Sequence, residues 1–490
     1  MSLIAVDLGT TNIKVACFDN DLNVNSLITH KVDYKRSGER VEFDAETYYE
    51  IVVKTVRECV KVIPDKDRSH SIILTGQAES LVVIDRDGNP LRNAISWLDE
   101  RSKQECVELQ QAFNDEIVFS VTGQVSIIPT WPITKMLWIR KNEPSVFSQA
   151  YKYMLLKDYI QYKLTGKILG EYSIYNFSLY FDIRKKDYWR EILDYVQIDV
   201  SQLPYLIEPC TNIGRLTPQA AAEFGLSADT TMNVGTLDHF AGMIGTGNIS
   251  EGVVSESTGT VLSVATLVDR SAASVPVGIP CHYGPFNDSY VLLSVCESGG
   301  ISLQWYKDTF LRNLDFDDLE EVIHTRSRPS EVIFLPYLTG INAPDYDRNA
   351  KGVFYGLRIQ HDEFDLAIAV MEGVAHMLAN NIELLRGLGY EINKIISTGG
   401  GSRSDTWSQI KAEITGCDIV VPANEEVVCL GAAIIGAVDE GFFSSFEEAV
   451  DKTLAVSKQF KCKHLNAYLQ NHKQFNQLRC SLKEFRQTHT

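Results

Sequence analysis

The sequence predicts an α/β protein of two domains, and three observations carry that prediction. Strand-like apolar runs alternate with helical patterns from one end to the other. A Gly/Thr turn between two strands occurs near the start, at Asp7-Leu8-Gly9-Thr10-Thr11-Asn12, and again in the second half, at Ser257-Thr258-Gly259-Thr260. Finally, 490 residues exceed what one hydrophobic core commonly fills.

The elements follow in order. Leu3–Leu8, Ile13–Phe18 and Val24–Val32 read as strands separated by short polar turns. A helix from about Ala45 to Val62 puts Ile51, Val52, Val56 and Val60 at helical spacing. Residues 71–74 and 80–84 are again strand-like, with Asp87-Gly88 as a hairpin-turn signal. From about Glu100 to Phe224 the pattern is mostly helical, although the aromatic stretch Tyr172–Phe181 has no clear period. The second half restarts the first. Gly252–Glu256 and Val261–Thr266 flank the second Gly/Thr turn, and Tyr290–Cys296 is a further strand. Helices are expected over about 301–311, 362–388 and 405–415, with a short strand at 394–397 leading into Gly399-Gly400-Gly401. The last helix, Leu465 to Phe485, is amphipathic and is expected to dock on the body. No low-complexity linker divides the halves, so the domains are expected at 1–246 and 247–490, packed together.

Composition narrows the function. There are 46 basic and 64 acidic residues, a net charge of −18, and no Lys/Arg run that would form a nucleic-acid surface. A small anion such as a nucleotide still fits an acidic protein when backbone N–H groups and helix ends hold it. The 10 cysteines are scattered with no CxxC pair, which argues against a zinc site and for reduced thiols in a cytoplasmic protein. The longest apolar stretch, Val427 to Val438, is interrupted by Gly431 and Gly436 and is too short to span a bilayer. Residues 3–8 read as a strand, which leaves no signal-peptide core in the expectation.

Three glycine-containing turns carry chemistry. The Asp7–Lys14 turn presents backbone N–H groups and hydroxyls suited to phosphate oxygens, and Asp7, at a strand end, is placed to hold a hydrated Mg²⁺. Ser257–Thr260 repeats the arrangement. Ser397–Arg403 runs from a strand into a helix near Ser404, where contiguous glycines let a flat ring approach and the helix end favours negative charge. It is not a GxGxxG fingerprint, so a dinucleotide oxidoreductase is disfavoured.

With these residues in this order, the sequence resembles the FGGY family of carbohydrate kinases, within the actin, hexokinase and heat-shock chaperone superfamily. The resemblance covers nearly the whole chain. DLGTTNIK and STGT look like the family's two phosphate loops, and TGGGSRSDTW looks like its adenosine loop. Thr130–Trp138 is similar to the P-x-x-K-x-x-W signature, with Thr130 departing from the usual first position, and Gly352–Glu372 is similar to the second signature. The resemblance implies two RNase-H-like domains of the actin/hexokinase type facing each other across a cleft. It implies ATP and Mg²⁺ as co-substrate and cofactor, and a primary hydroxyl of a ketose, polyol or related sugar as acceptor. The family's catalytic aspartate falls on Asp238, which would act as general base, although an aspartate there would also serve as a helix N-cap. Thr10, Thr11, Lys14, Gly259 and Thr260 would face phosphate; Gly300, Gly400, Gly401 and Asp405 would border the adenosine; Asp7 would hold the metal through water. Substrate contacts would come from Gln77, Glu79, Trp97, Asp99, Arg101 and His239. Xylulose kinases often carry Met-His where Ala78-Glu79 stands, and glycerol kinases Arg-Glu, so ketose, polyol and sugar-acid substrates all stay open at this point. A Glu79–Arg101 structural pair is the bland alternative for that segment. Expected partners are the sugar and ATP, with a homodimer as a further expectation and neither nucleic acid nor membrane. Two readings compete with the kinase: an actin- or chaperone-like ATPase, and an inactive sugar sensor.

Overall fold

The computed structural model describes residues 1–63, 69–269, 278–341, 347, 349–424, 426–463 and 465–489. Its first sheet has six strands: β1 (Leu3–Leu8), β2 (Asn12–Phe18), β3 (Val24–Lys31), β4 (Ser71–Gly76), β5 (Asn212–Arg215) and β6 (Thr231–Asn233), in the spatial order β5-β6-β4-β1-β2-β3. β1, β2 and β3 form an antiparallel meander, and β4 and β6 run parallel to β1. Alternation along β1 divides its side chains between two cores. Ile4, Val6 and Leu8 meet helix α1 (Ala45–Cys59), while Leu3 and Ala5 face the opposite side. Helix α1 starts where expected because Asp44 caps it, accepting the Thr47 N–H at 2.9 Å.

Segments between β3 and β4 and between β4 and β5 build a second layer. Short strands at Lys35–Ser37, Arg40–Phe43, Ala94–Ile95, Leu81–Ile84 and Lys152–Leu155 pair into one sheet. Helices α2 (Pro132–Asn142), α3 (Leu156–Thr165) and α4 (Tyr172–Tyr175) pack around it. The aromatic stretch without a period resolves into α4, a 3₁₀ turn at Asn176–Ser178 and a two-residue strand at Phe181–Asp182. Ring packing decides its shape: Tyr175 lies edge-on to Tyr180 and Tyr188, with centroids 6.0 and 5.9 Å away.

The second half repeats the first sheet. After helix α5 (Asp238–Thr246) come β7 (Val253–Thr258), β8 (Leu262–Val268), β9 (Cys281–Tyr283) and β10 (Tyr290–Cys296). They are followed by helices α6 (Gly300–Phe310) and α7 (Glu363–Gly387), β11 (Lys394–Thr398), helix α8 (Asp405–Thr415) and β12 (Asp418–Pro422). Helix α9 (Val427–Asp439), β13 (Val456–Phe460) and helix α10 (Leu465–His489) complete the chain. The strand order β10-β8-β7-β11-β12 reproduces β3-β2-β1-β4-β6, with the same antiparallel and parallel pairings. The duplication expected from two Gly/Thr turns is therefore a duplication of the whole sheet. Helix α10 docks through buried Tyr468 and Phe475, as its amphipathic pattern anticipates. Among the described residues no helix is long and apolar enough to cross a membrane.

The halves are joined by exchanging helices. Helix α9, from the second half, lies on the first sheet, where Ile434 and Ile435 share a core with Leu3 and Ile73. Phe240 and Met243 of α5, from the first half, join the core that holds Val254 and Leu262. The two helices cross with almost no space between them. A Cβ on Gly431 would stand 1.7 Å from the Ala241 carbonyl oxygen, and one on Gly245 would stand 1.9 Å from that of Val427. Gly431→Ala is therefore expected to lower the unfolding free energy by about 1–3 kcal/mol, the usual cost of overpacking. Urea unfolding checks this; a variant with the parent midpoint would mean the helices separate easily.

Candidate active site

Asp238 owes its position to the turn after β6. Gly235 there has a left-handed backbone (φ 58°) and lies so close to Leu74 that a Cβ would stand 1.9 Å from its carbonyl oxygen. Leu237 then bridges to Gly76 and takes the N-cap position of α5. Asp238 is thus the first helical residue rather than the cap. Its Oδ1 accepts the His239 N–H at 2.6 Å, and the capping explanation does not apply. Burial, opposed by the His239 and Lys157 charges, holds its carboxyl above the usual range.

Asp7, the last residue but one of β1, faces the same space. Its Oδ1 is buried with no hydrogen-bond partner. Burial and then the Asp238 charge push its pKa up to about 7, against the pull of Lys14. Both aspartates line a cavity of about 260 Å³ with Gly9, His239, Ser257 and Thr398. Thr398 and Val427 also line a second cavity, of about 440 Å³, walled by Gly399, Gly400, Ser402, Asn424 and Lys458. The two cavities adjoin at Thr398 and Val427, one beside the two carboxylates and the other beside the glycine loop. An orphaned carboxylate oxygen beside serine and threonine hydroxyls is a hard-oxygen donor set and fits Mg²⁺. No group of three or more His, Cys, Asp or Glu among the described residues surrounds it. An ion here would complete its shell with water and substrate oxygens, as Mg²⁺ commonly does.

The phosphate and adenosine residues expected from sequence divide into two sets. Gly400 lines the second cavity. Gly401 packs beneath it on Thr258, and Gly300 packs on Gly259, where a Cβ would stand 2.3 Å from the carbonyl oxygen. Thr260 and Thr11 are exposed at the two turns. Thr10 accepts the Trp97 indole N–H at 2.8 Å, which ties the first phosphate turn to the segment expected to bind sugar. Asp405 pairs with the cavity residue Lys458 rather than entering the cavity lining. Lys14 is held by Glu426 across the cleft at 2.6 Å, so a phosphate reaching Lys14 must displace or share that carboxylate.

On the sugar side, Gln77 is buried, accepting the Ser80 hydroxyl at 2.7 Å and donating to the Tyr34 hydroxyl at 3.4 Å. Glu79 has a left-handed backbone (φ 63°), uncommon outside glycine and a mark of a constrained site. Burial and the Asp238 charge raise its pKa, while the buried Lys135 ammonium opposes them. Burial in turn lowers the Lys135 pKa. His239 stands exposed beside Asp238. Asp99 is fully buried, and its oxygens accept the Val41 and Arg101 amides and the Arg101 guanidinium, at 2.7–2.8 Å for the side chain, a set of partners that suits a structural role. Arg101 also pairs with Glu42 and covers the Trp138 ring, leaving Nη1 buried without a partner. The structural pair that forms is Arg101 with Asp99 and Glu42, and Glu79 is outside it.

Comparison with known proteins decides the family. The N-terminal domain profile of the FGGY family of carbohydrate kinases matches residues 2–245, and the C-terminal domain profile matches residues 257–440. The chain belongs to the FGGY family of carbohydrate kinases. It is 30% identical to a xylulose kinase from Staphylococcus epidermidis over 463 residues, covering 94% of this chain and 92% of that protein. It is 27% identical to a gluconokinase from Bacillus subtilis, covering 92% and 90%. The solved structure of a ligand-bound xylulose kinase from Lactobacillus acidophilus superposes with a TM-score of 0.90 at 25% identity, covering 98% of each chain. This FGGY kinase is an ATP-dependent carbohydrate kinase with the two-domain actin/hexokinase-like fold. Relatives named as sugar kinases give no support to the ATPase or sensor readings.

Several site residues of this FGGY kinase escaped the sequence reading. Glu426 and Lys458 enter the cleft from segments with no motif. Lys135 lay inside the Thr130–Trp138 signature, where its position was the available signal. For stability, the raised Asp7 pKa has a definite sign. From its ordinary 3.8 up to about 7 the folded, unliganded protein keeps a proton that the unfolded chain has lost. This contribution to stability is full below pH 4 and is lost as pH rises toward 7. Asp7→Asn should flatten that part of the pH–stability curve in urea unfolding; a variant with the parent slope would contradict the assignment.

Proposed function

We propose that this kinase transfers the γ-phosphoryl group of ATP to a primary hydroxyl of a neutral ketose or polyol, with Asp238 as general base. The observation that carries the reaction is that the Asp7–Asp238 cavity and the glycine-loop cavity adjoin, sharing Thr398 and Val427 in their walls. The nucleotide would lie along them, adenosine against Gly399–Arg403 and phosphates toward Gly9 and Ser257. Asp238 would accept the hydroxyl proton as the sugar oxygen bonds to the γ-phosphorus and the bond to the ADP oxygen breaks. Asp7 would hold Mg²⁺ through water; the ion supplies charge neutralisation at the phosphates. Thr10, Thr11, Thr260 and the Gly259 turn would present donors to phosphate, and Lys14 would exchange Glu426 for a phosphate oxygen.

Gln77, Glu79, Trp97 and His239 would form the sugar pocket, with Arg101 reaching it at most through Nη1. The preference for a neutral acceptor rests on charge. Burial first, and the Asp238 charge after it, raise the carboxyl pKa of both Asp7 and Glu79, so the site disfavours a further negative group. Among the named relatives, a xylulose-like ketose therefore suits the site better than a gluconate-like acid. Residues 1–246 and 247–490 would close on the ligands and exclude water, limiting ATP hydrolysis. The scattered cysteines with no CxxC pair support a cytoplasmic setting. The homodimer belongs to the same reading, supported by exposed Tyr355, Leu357 and Ile359 on one short segment.

Two measurements test the reaction and its specificity. Asp238→Asn should lower kcat by ~10²–10⁴ while ATP and sugar binding persist; near-normal kcat would remove Asp238 from the base role. In an ADP-release screen, neutral ketoses or polyols should give the highest kcat/KM, and Glu79→Gln should lower that value while improving sugar acids. A wild-type preference for gluconate-like acids would overturn the pocket reading of Glu79.

A further inference from the structure

Directly behind Asp238 lies a polar chain that phosphoryl transfer does not use. Lys157, Glu171, Ser173 and Thr236 are 1%, 2%, 0% and 0% exposed. Lys157, in the first turn of α3, donates to Glu171 Oε1 at 2.9 Å. Glu171 Oε2 accepts the Ser173 N–H at 2.6 Å, and Oε1 accepts the Ser173 hydroxyl at 2.9 Å. The Ser173 oxygen in turn accepts the Leu237 N–H at 3.2 Å. Because the single Ser173 hydrogen goes to a carboxylate that can only accept, the 2.8 Å contact between Ser173 and Thr236 hydroxyls has Thr236 as donor. The Thr236 carbonyl accepts the Thr75 hydroxyl at 2.9 Å, fastening the segment to β4.

We propose that the Lys157–Glu171–Ser173 chain is a positioning device for the catalytic base, setting the entry of α5 so that Asp238 projects in one orientation. The inference rests on the reading of Asp238 as the base. Its argument begins at the helix start. Leu237 occupies the N-cap without a capping side chain, and an uncapped first turn frays readily. Ser173 holds the Leu237 amide from outside the helix. A serine hydroxyl alone swivels, whereas this one is aimed by a carboxylate, which is itself fixed by a buried ammonium and the Ser173 amide.

Stability does not account for such a chain. Desolvating an ion pair costs about as much as the pair returns, and apolar replacements are often neutral or stabilising. The chain's geometric product is a fixed Thr236–Leu237 backbone, one residue from the reacting carboxylate. Four other groups face Asp238 electrostatically, namely Asp7, Glu79, Tyr48 and His239, and none of them bonds to the Leu237 amide.

Ser173→Ala removes the hydroxyl without changing charge. It should lower kcat by ~10–100-fold, the scale of a misplacement near 1 Å, with KM for ATP and sugar within about threefold of the parent. Ser173→Thr, which keeps the hydroxyl, should recover most of that loss. Kinetics are referred to folded protein measured by thermal unfolding, and Thr236→Val carries the same test with a smaller expected loss should Ser173→Ala fail to fold. Unchanged kcat in the folded variant, or equal losses in Ser173→Ala and Ser173→Thr, would overturn the positioning role. Asp238→Asn assayed alongside separates the two ideas. If it retains activity the base reading fails; if it is inactive while Ser173→Ala is normal, the positioning inference alone fails.

Discussion

The close crossing of α5 and α9 is the constraint on which the site depends. Helices of ordinary sequence pack with axes 8–10 Å apart, held off by side chains. Here Gly245 and Gly431 let backbone meet backbone, with Ala241 and Val427 carbonyls filling the places of absent Cβ atoms. Since α5 begins at Asp238 and α9 at Val427, the crossing brings both helix N-termini to one cavity, together with Asp7 from the end of β1. Partial positive charge at two helix starts, with the backbone of two Gly/Thr turns, gives a chain of net charge −18 a local place for a polyphosphate. The overall acidity then matters little at the site.

Around that crossing, buried ion pairs recur beneath functional loops. Lys411 and Glu256 are fully buried and meet at 2.6 Å, with Thr258 bridging them at 2.8 and 2.6 Å. This places a rigid polar joint between α8, β7 and the glycine loop that packs on Thr258. Lys157 and Glu171 form the corresponding joint under Asp238, and Arg101 with Asp99 a third beside the sugar segment. Lys411–Glu256 and Lys157–Glu171 link separate elements, whereas Asp99 and Arg101 are two residues apart; Glu256 also lines the Asp7–Asp238 cavity. Such pairs contribute little net stability, so their common location under loops points to orientation as their use.

The run of short apolar segments indicates the fold because β1 and β4 are central strands buried along almost their whole length. The phosphate turns were legible for a local reason: Gly and Thr between strands have a chemistry of their own. Asp238 was different. Its role came from the resemblance, and only the turn at Gly235–Leu237 distinguishes it from a helix cap. Asp99 and Arg101 read two ways because a carboxylate and a guanidinium two residues apart suit a sugar and suit each other equally; in the structure they pair with each other. Lys157, Glu171, Lys411 and Glu256 gave no warning, since a charged residue in sequence reads as exposed until its partner is found in space. Glu426, opposite Lys14, depends on the arrangement of the two halves, which no local pattern encodes.

The central claim is that one cleft aligns a sugar hydroxyl, Asp238 and the γ-phosphate. A crystal structure with a non-hydrolysable ATP analogue, Mg²⁺ and a neutral ketose tests it most directly. The account predicts an Asp238 carboxylate oxygen within about 2.6–3.2 Å of a primary hydroxyl, with that hydroxyl in line with the γ-phosphorus and the adenine against Gly399–Arg403. A ketose hydroxyl held by another base, or a nucleotide seated away from the Thr398–Val427 junction, would contradict it.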